Sequence, residues 1–238
     1  MTDPHPTDLR DQFAAAKCVL FDFDGPLCRL FAGHTAPMVA AELREWIEQR
    51  FHDEVPVPED SADDPHAILS LADRMHPGSE LVGQLEALLT SEELRASATA
   101  EPTEDADRLI RRLSAAGFRM AITTNNSESA VRQYLDRQGL TNFFAGHVHG
   151  RMPDPRLLKP DPDCLRRALV TTGSTAEESL MIGDSPADFL AARELGVPFL
   201  GYARNQVKLQ RLEAAGAKVN VSSLDVLLDA VEPGLPVE

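Results

Sequence analysis

Cysteine is scarce in this chain, and its three copies, Cys18, Cys28 and Cys164, are an odd number without C-x-x-C spacing. Neither a disulfide framework nor a zinc-thiolate site is indicated, and a reducing compartment fits best. Long apolar runs are missing too, since none approaches the roughly 20 residues a membrane helix needs. The opening stretch MTDPHPTDLRDQ lacks the basic-then-apolar order of a signal peptide, so a cytoplasmic location without a membrane partner is expected. Basic residues are the minority charge: 23 Lys and Arg against 38 Asp and Glu over 238 residues leave a net charge of −15. That surface repels phosphate backbones, so nucleic acid is not an expected partner. The nucleotide cradles G-x-x-x-x-G-K-[ST] and G-x-G-x-x-G are also absent.

What is present is ordinary for a globular protein, with 43% apolar and 26% charged residues. Lys17 to Phe23 is a short apolar run without polar alternation, as expected of a strand buried on both faces of a parallel sheet. From Thr35, Val39, Leu43, Trp46 or Ile47, and Phe51 recur at helical spacing and predict one amphipathic helix. An acidic, proline-rich loop over 53–65 is followed by helices at about 66–75 and 79–96. Met38 and Trp46 are assigned to packing. Beyond Pro102 strands alternate with helices: 103–116, FRMAIT, 128–138, a strand near AGHVHG, 162–172, SLMIG, 186–195, VPFLG, 205–215, then a short strand and helix. This alternation predicts an α/β fold, a doubly wound parallel sheet interrupted after its first strand by an all-helical cap. The boundaries read 1–26 and 102–238 for the core and 27–101 for the cap.

Ligands of open α/β sheets bind beyond the carboxyl ends of the strands, so the polar residues there carry the reading. They are Asp22-Phe23-Asp24-Gly25, Thr123-Thr124-Asn125-Asn126 and Gly183-Asp184-Ser185-Pro186-Ala187-Asp188, with Lys159-Pro160 between the last two. Period-two geometry sends Asp22 and Asp24 to one side of the strand end. Ionised acids flanked by apolar residues are costly to bury unless a cation is near. Mg²⁺, which takes hard oxygen ligands, suits Asp22, the backbone carbonyl of Asp24, and Asp184. Blander readings stand beside these. Ser185-Pro186-Ala187-Asp188 is a good helix start, Asp161-Pro162 an ordinary cap, and Gly25 permits a close turn. His147 and His149 alternate on one face, but without a third ligand they read as a wet strand end. Cys28 reads as a small buried hydrophobe.

In combination and in this order, D-x-D-G, [ST]-N, K-P and G-D-x-x-x-D resemble the motifs of the haloacid dehalogenase superfamily of phosphohydrolases. The helical block after the first motif is similar to the cap of its phosphoglycolate phosphatase-like branch. The resemblance implies a Mg²⁺-dependent hydrolase of a small phosphorylated metabolite, working through a phospho-aspartyl intermediate. It implies Asp22 as nucleophile and Asp24 as acid/base. Lys159, the Thr124 hydroxyl and the Asn125 N–H would bind phosphate, and Asp188 would hold Lys159 or a metal-bound water. The chain departs from the pattern at Pro26, where the family usually carries threonine, so any hydrogen bond orienting Asp24 from that position is lost. Arg29, at the start of the cap, is assigned to an anionic substrate group remote from the phosphate. The alternatives are haloacid dehalogenation, a phosphomutase, and a non-catalytic binding or regulatory module. A monomer or a homodimer is equally compatible with the sequence.

Overall fold

The computed structural model describes residues 6–51 and 62–231, and side chains from Leu9 onward. The acidic, proline-rich loop therefore falls largely outside the described residues. Six parallel strands form one sheet in the order β5-β4-β1-β6-β7-β8. They are β1 (Cys18–Phe21), β4 (Arg119–Thr123), β5 (Val148–His149), β6 (Ser179–Gly183), β7 (Phe199–Tyr202) and β8 (Asn220–Val221). β1 is central, pairing with β4 on one side and β6 on the other, and all four of its residues are buried. Helices cover both faces, which is why these strands are continuous apolar runs.

The two faces have separate cores. One gathers Val19, Phe21, Ile110, Ile122, Tyr134 and Ile182, and the other gathers Cys18, Leu20, Ala121, Leu165 and Met181. Successive β1 residues alternate between them, as a pleated strand requires. The first core also takes Leu9 and Phe13 of α1 (Pro6–Ala15), a helix the sequence reading did not assign. The crossover helices are α5 (Ala106–Ala115), α6 (Glu128–Gln138), α7 (Asp163–Thr172), α8 (Pro186–Leu195) and α9 (Gln206–Ala215), with α10 (Asp225–Leu228) last.

Between β1 and α5 the chain forms α2 (Ala36–Phe51), α3 (Pro65–Met75) and α4 (Glu80–Thr99). Val39, Leu43 and Ile47 of α2 pack with Ile68, Leu69, Leu85 and Leu89 in a cluster of their own. The expected stripe is thus buried, and Trp46 packs at a tilt against Phe51 with ring centroids 5.4 Å apart. Met38 is 52% exposed and does not pack as expected, because it lies off that stripe. The inserted region is not purely helical either. Its two ends pair as an antiparallel ribbon, β2 (Cys28–Arg29) with β3 (Glu101–Pro102), two strands too short to leave a periodic signal.

Candidate active site

The site lies at the carboxyl ends of β1, β4 and β6. Asp22 follows β1 and is 7% exposed, and the Lys159 ammonium, also buried, donates to Asp22 Oδ1 at 2.8 Å. The same ammonium donates to Asp188 Oδ1 at 2.5 Å and to the Thr123 carbonyl at 2.9 Å. All three of its protons are used, so its position is fixed. Burial works against the Lys159 charge, but Asp188 and Asp22 together hold its pKa above that of an ordinary lysine.

Asp188 serves two purposes. Its Oδ2 accepts from the Ser185 N–H at 3.0 Å, while Ser185 Oγ accepts from the Asp188 N–H, completing the capping box at the start of α8. Its Oδ1 faces Lys159. The cap read from the sequence and the site residue are therefore one side chain.

The carboxylates of Asp22, Asp184 and Asp188 are all buried, and each offers an oxygen within 4.8 Å of the others. Burial, then the neighbouring Asp188 carboxylate, raises the pKa of Asp22 against the pull of Lys159. Burial likewise raises Asp184, countered by Lys208. Lys208, in the first turn of α9, is ion-paired to Asp184. It was not singled out in the sequence, because nothing in its neighbours distinguishes it from a surface lysine. A cluster of acids this close, buried and only partly balanced by ammonium groups, suits a hard divalent cation. Gly25 makes the crowding explicit. With φ of +134° it lies against Asp184, and a Cβ there would fall 2.1 Å from Asp184 Oδ2.

Asp24 has a different partner from Asp22. Its Oδ1 accepts from the backbone N–H of Leu30 at 2.9 Å. That bond gives Asp24 an orienting donor from the backbone, whatever Pro26 removes. Burial raises its pKa, opposed by the Leu30 N–H and by the positive charges of Lys208 and Arg204. The turn below is held by Thr103, whose hydroxyl donates to the Gly25 carbonyl at 2.5 Å. Only the fold brings Thr103 to this turn.

After β4, the Thr124 hydroxyl accepts from both the backbone and side-chain N–H groups of Asn126, which leaves its own proton free to donate. The Asn125 side chain clamps the Lys159 backbone, accepting from its N–H at 2.7 Å and donating to its carbonyl at 3.2 Å. Among the described residues the Asn125 backbone N–H has no partner. Arg29 stands on the ribbon, exposed and ion-paired to Glu101. His149 is not the wet strand end expected of it: it is 6% exposed, its Nε2 lies 2.8 Å from Thr171 Oγ1, and burial lowers its pKa to about 4. Cys28 is buried, as expected, with its thiol 3.7 Å from the Phe23 carbonyl.

A parallel doubly wound sheet with an acid-lysine cluster at its carboxyl edge and helices inserted after the first strand defines a Rossmann-like α/β class. The sequence profile of the haloacid dehalogenase-like hydrolases matches residues 16–196, so the chain belongs to that family. Among relatives, a phosphoglycolate phosphatase of Rhodospirillum rubrum is 35% identical over 130 residues, covering 53% of this chain and 52% of its own length. A pyrophosphatase PpaX of Halalkalibacterium halodurans is 32% identical over 105 residues, 43% of this chain and 48% of the relative. The chain thus matches about half the length of these curated relatives. Among solved structures, a putative phosphoglycolate phosphatase of Lactobacillus plantarum superposes with a TM-score of 0.66 at 18% identity, covering 90% of this chain and 99% of that one. CbbY of Rhodobacter sphaeroides, in complex with phosphate, gives 0.65 at 18% identity, with 87% and 94% covered. At such identities these structures speak for the fold.

Proposed function

We propose that the chain is a Mg²⁺-dependent phosphohydrolase of small phosphate monoesters that passes through a phospho-aspartyl intermediate on Asp22. The observation that carries the reading is the placement of Asp22: buried, bonded to Lys159 through Oδ1 only, with Oδ2 free of hydrogen bonds among the described residues. The named activities of the phosphatase relatives support the same reaction class.

On this reading Asp22 Oδ2 forms a bond to phosphorus as the ester P–O bond breaks. The departing alkoxide takes the proton of Asp24, whose burial favours the protonated form before reaction. Asp24 then takes a proton from water as that water attacks phosphorus and the P–O bond to Asp22 breaks. Inorganic phosphate leaves, and Asp24 is protonated for the next cycle. Lys159, the Thr124 hydroxyl and the Asn125 N–H hold the equatorial oxygens, where charge must be stabilised. Asp188 holds Lys159. Asp22, Asp184 and the Asp24 carbonyl would hold Mg²⁺, which when bound neutralises charge on the phosphoryl group. Residues 27–101 act as a cap over a core of 1–26 and 102–238, and by closing choose the leaving group. Attack on carbon, as in dehalogenation, would need neither the metal nor a second acid, so the Asp24 and Asp184 carboxylates favour phosphorus.

A screen of phosphorylated metabolites with Mg²⁺ tests the reaction class, and Asp22→Asn tests the nucleophile. Turnover should disappear in the variant and with chelator. Nucleophilic catalysis by Asp22 would be falsified if phosphate release survived the substitution, and halide release resistant to chelator would replace the phosphatase reading.

A further inference from the structure

Arg151 lies just beyond β5, and its side chain is completely buried in a chain whose surface is strongly acidic. Burying a guanidinium is costly unless its donors are met, and here each nitrogen has a partner. Nη1 donates to Glu93 Oε1 at 2.7 Å and to the Asn125 carbonyl at 2.9 Å. Nη2 donates to Thr90 Oγ1 at 2.9 Å, to Glu86 Oε1 at 3.1 Å and to Glu93 Oε2 at 3.1 Å. Nε donates to Glu86 Oε1 at 3.3 Å. The Arg151 backbone N–H donates to the Asn126 carbonyl at 2.9 Å.

These partners fall into two groups. Glu86, Thr90 and Glu93 are one face of α4, at spacings of four and three. Asn125 and Asn126 are the loop after β4 that presents the unpartnered Asn125 N–H. Glu93 adds a second tie between the same parts: its Oε2 accepts from the Ser127 N–H at 2.8 Å, and its Oε1 accepts from His66 Nε2 of α3 at 3.2 Å. Glu93 is fully buried. Arg151 thus holds the Asn125 and Asn126 carbonyls and Glu93 holds the Ser127 N–H, so the two peptides that follow the Asn125 N–H are fixed against α4.

We propose that Arg151 is a positioning residue that joins the inserted helices to the phosphate-binding loop and holds in place the turn that presents the Asn125 N–H to the anion. The inference rests on the reading of that loop as a phosphate site. It requires that weakening the Arg151 and Glu93 contacts lower anion affinity beyond what loss of stability explains. The test measures inorganic phosphate binding by calorimetry in the full chain with Mg²⁺, alongside KM and kcat, for wild type, Arg151→Lys, Arg151→Met and Glu93→Gln. Leu43→Ala, in the separate cluster of the inserted helices, serves as a variant destabilised without touching the network.

Arg151→Met should weaken phosphate binding at least about tenfold and raise KM more than it lowers kcat. Arg151→Lys and Glu93→Gln should fall between it and wild type, and Leu43→Ala should bind phosphate as wild type does. If Arg151→Met does not fold, the lysine and glutamine variants decide the matter. Wild-type phosphate affinity in both, or an equal loss in Leu43→Ala, overturns the positioning role. A wild-type protein that neither binds phosphate nor hydrolyses phosphate esters overturns the functional reading itself, which is a different result.

Discussion

At Lys159 one ammonium stands between two buried carboxylates, and the charge balance of the cluster depends on it. Lys159→Met would leave Asp22 and Asp188 without their shared cation. Breaking a buried pair by removing one partner costs on the order of 3–5 kcal/mol, and loss of a donor to a developing charge slows turnover by roughly 10² to 10³. Urea denaturation and steady-state kinetics should show both losses, with Mg²⁺ returning part of the stability and little of the rate. Arg29 makes the opposite case, because its guanidinium is exposed and already paired with Glu101. To recognise a remote substrate anion it must exchange that partner. Arg29→Ala should then raise KM for the true substrate while sparing a generic phosphate ester, and an unchanged KM removes Arg29 from recognition.

Among the elements, β5 and α7 meet through His149 and the Thr171 hydroxyl. Burial, followed by the positive charge of Arg167, lowers the folded pKa of His149 to about 4 from 6.5. The unfolded chain therefore binds the extra proton first as pH falls. This contribution to stability is complete above about pH 6.5 and is lost progressively toward pH 4. His149→Gln keeps a polar group at the end of β5 without the titration, so its stability should depend less on pH across that window. Denaturant midpoints at pH 7, 6 and 5 give the comparison, and parallel slopes for the two proteins would assign the pH dependence elsewhere.

Over the whole molecule, a net charge of −15 coexists with a small region where Lys159, Lys208 and Arg204 act on the acids of the site. On the proposed reading, that local positive charge is what would favour a small anionic ester against the acidic surface. Among the described residues no helix is long and apolar enough to cross a membrane. The inserted helices have an apolar cluster of their own, while Ala96 of α4 joins the first core of the sheet and Phe31 packs against both, and Arg151 links α4 to the loop after β4. A cation bound to Asp22 and Asp184 binds only the folded state, so Mg²⁺ should stabilise the chain by about 2.7 kcal/mol at one hundred times its dissociation constant. A thermal melt should rise with Mg²⁺, fall back with chelator, and lose this response in Asp184→Asn. An undiminished response in that variant would place the cation elsewhere.

Much of this protein is legible along the chain because short-range physics writes it there. The apolar run through Val19, Leu20 and Phe21 reads as a fully buried strand, and the 3.6-residue stripe of α2 reads as a helix face. Ser185 and Asp188 read as a cap, and the acids after β1 and β6 fall where parallel sheets open to ligands. The structure adds what depends on distant segments. Lys208 meets Asp184 and Thr103 meets Gly25 because the fold returns those stretches to the sheet edge. The role of Asp188 was open in the sequence between cap and lysine partner, and its two oxygens make both contacts. Local sequence determined which side chains stand at the strand ends. Tertiary structure decided what each faces, because a buried charge takes its behaviour from partners that neighbouring residues do not specify.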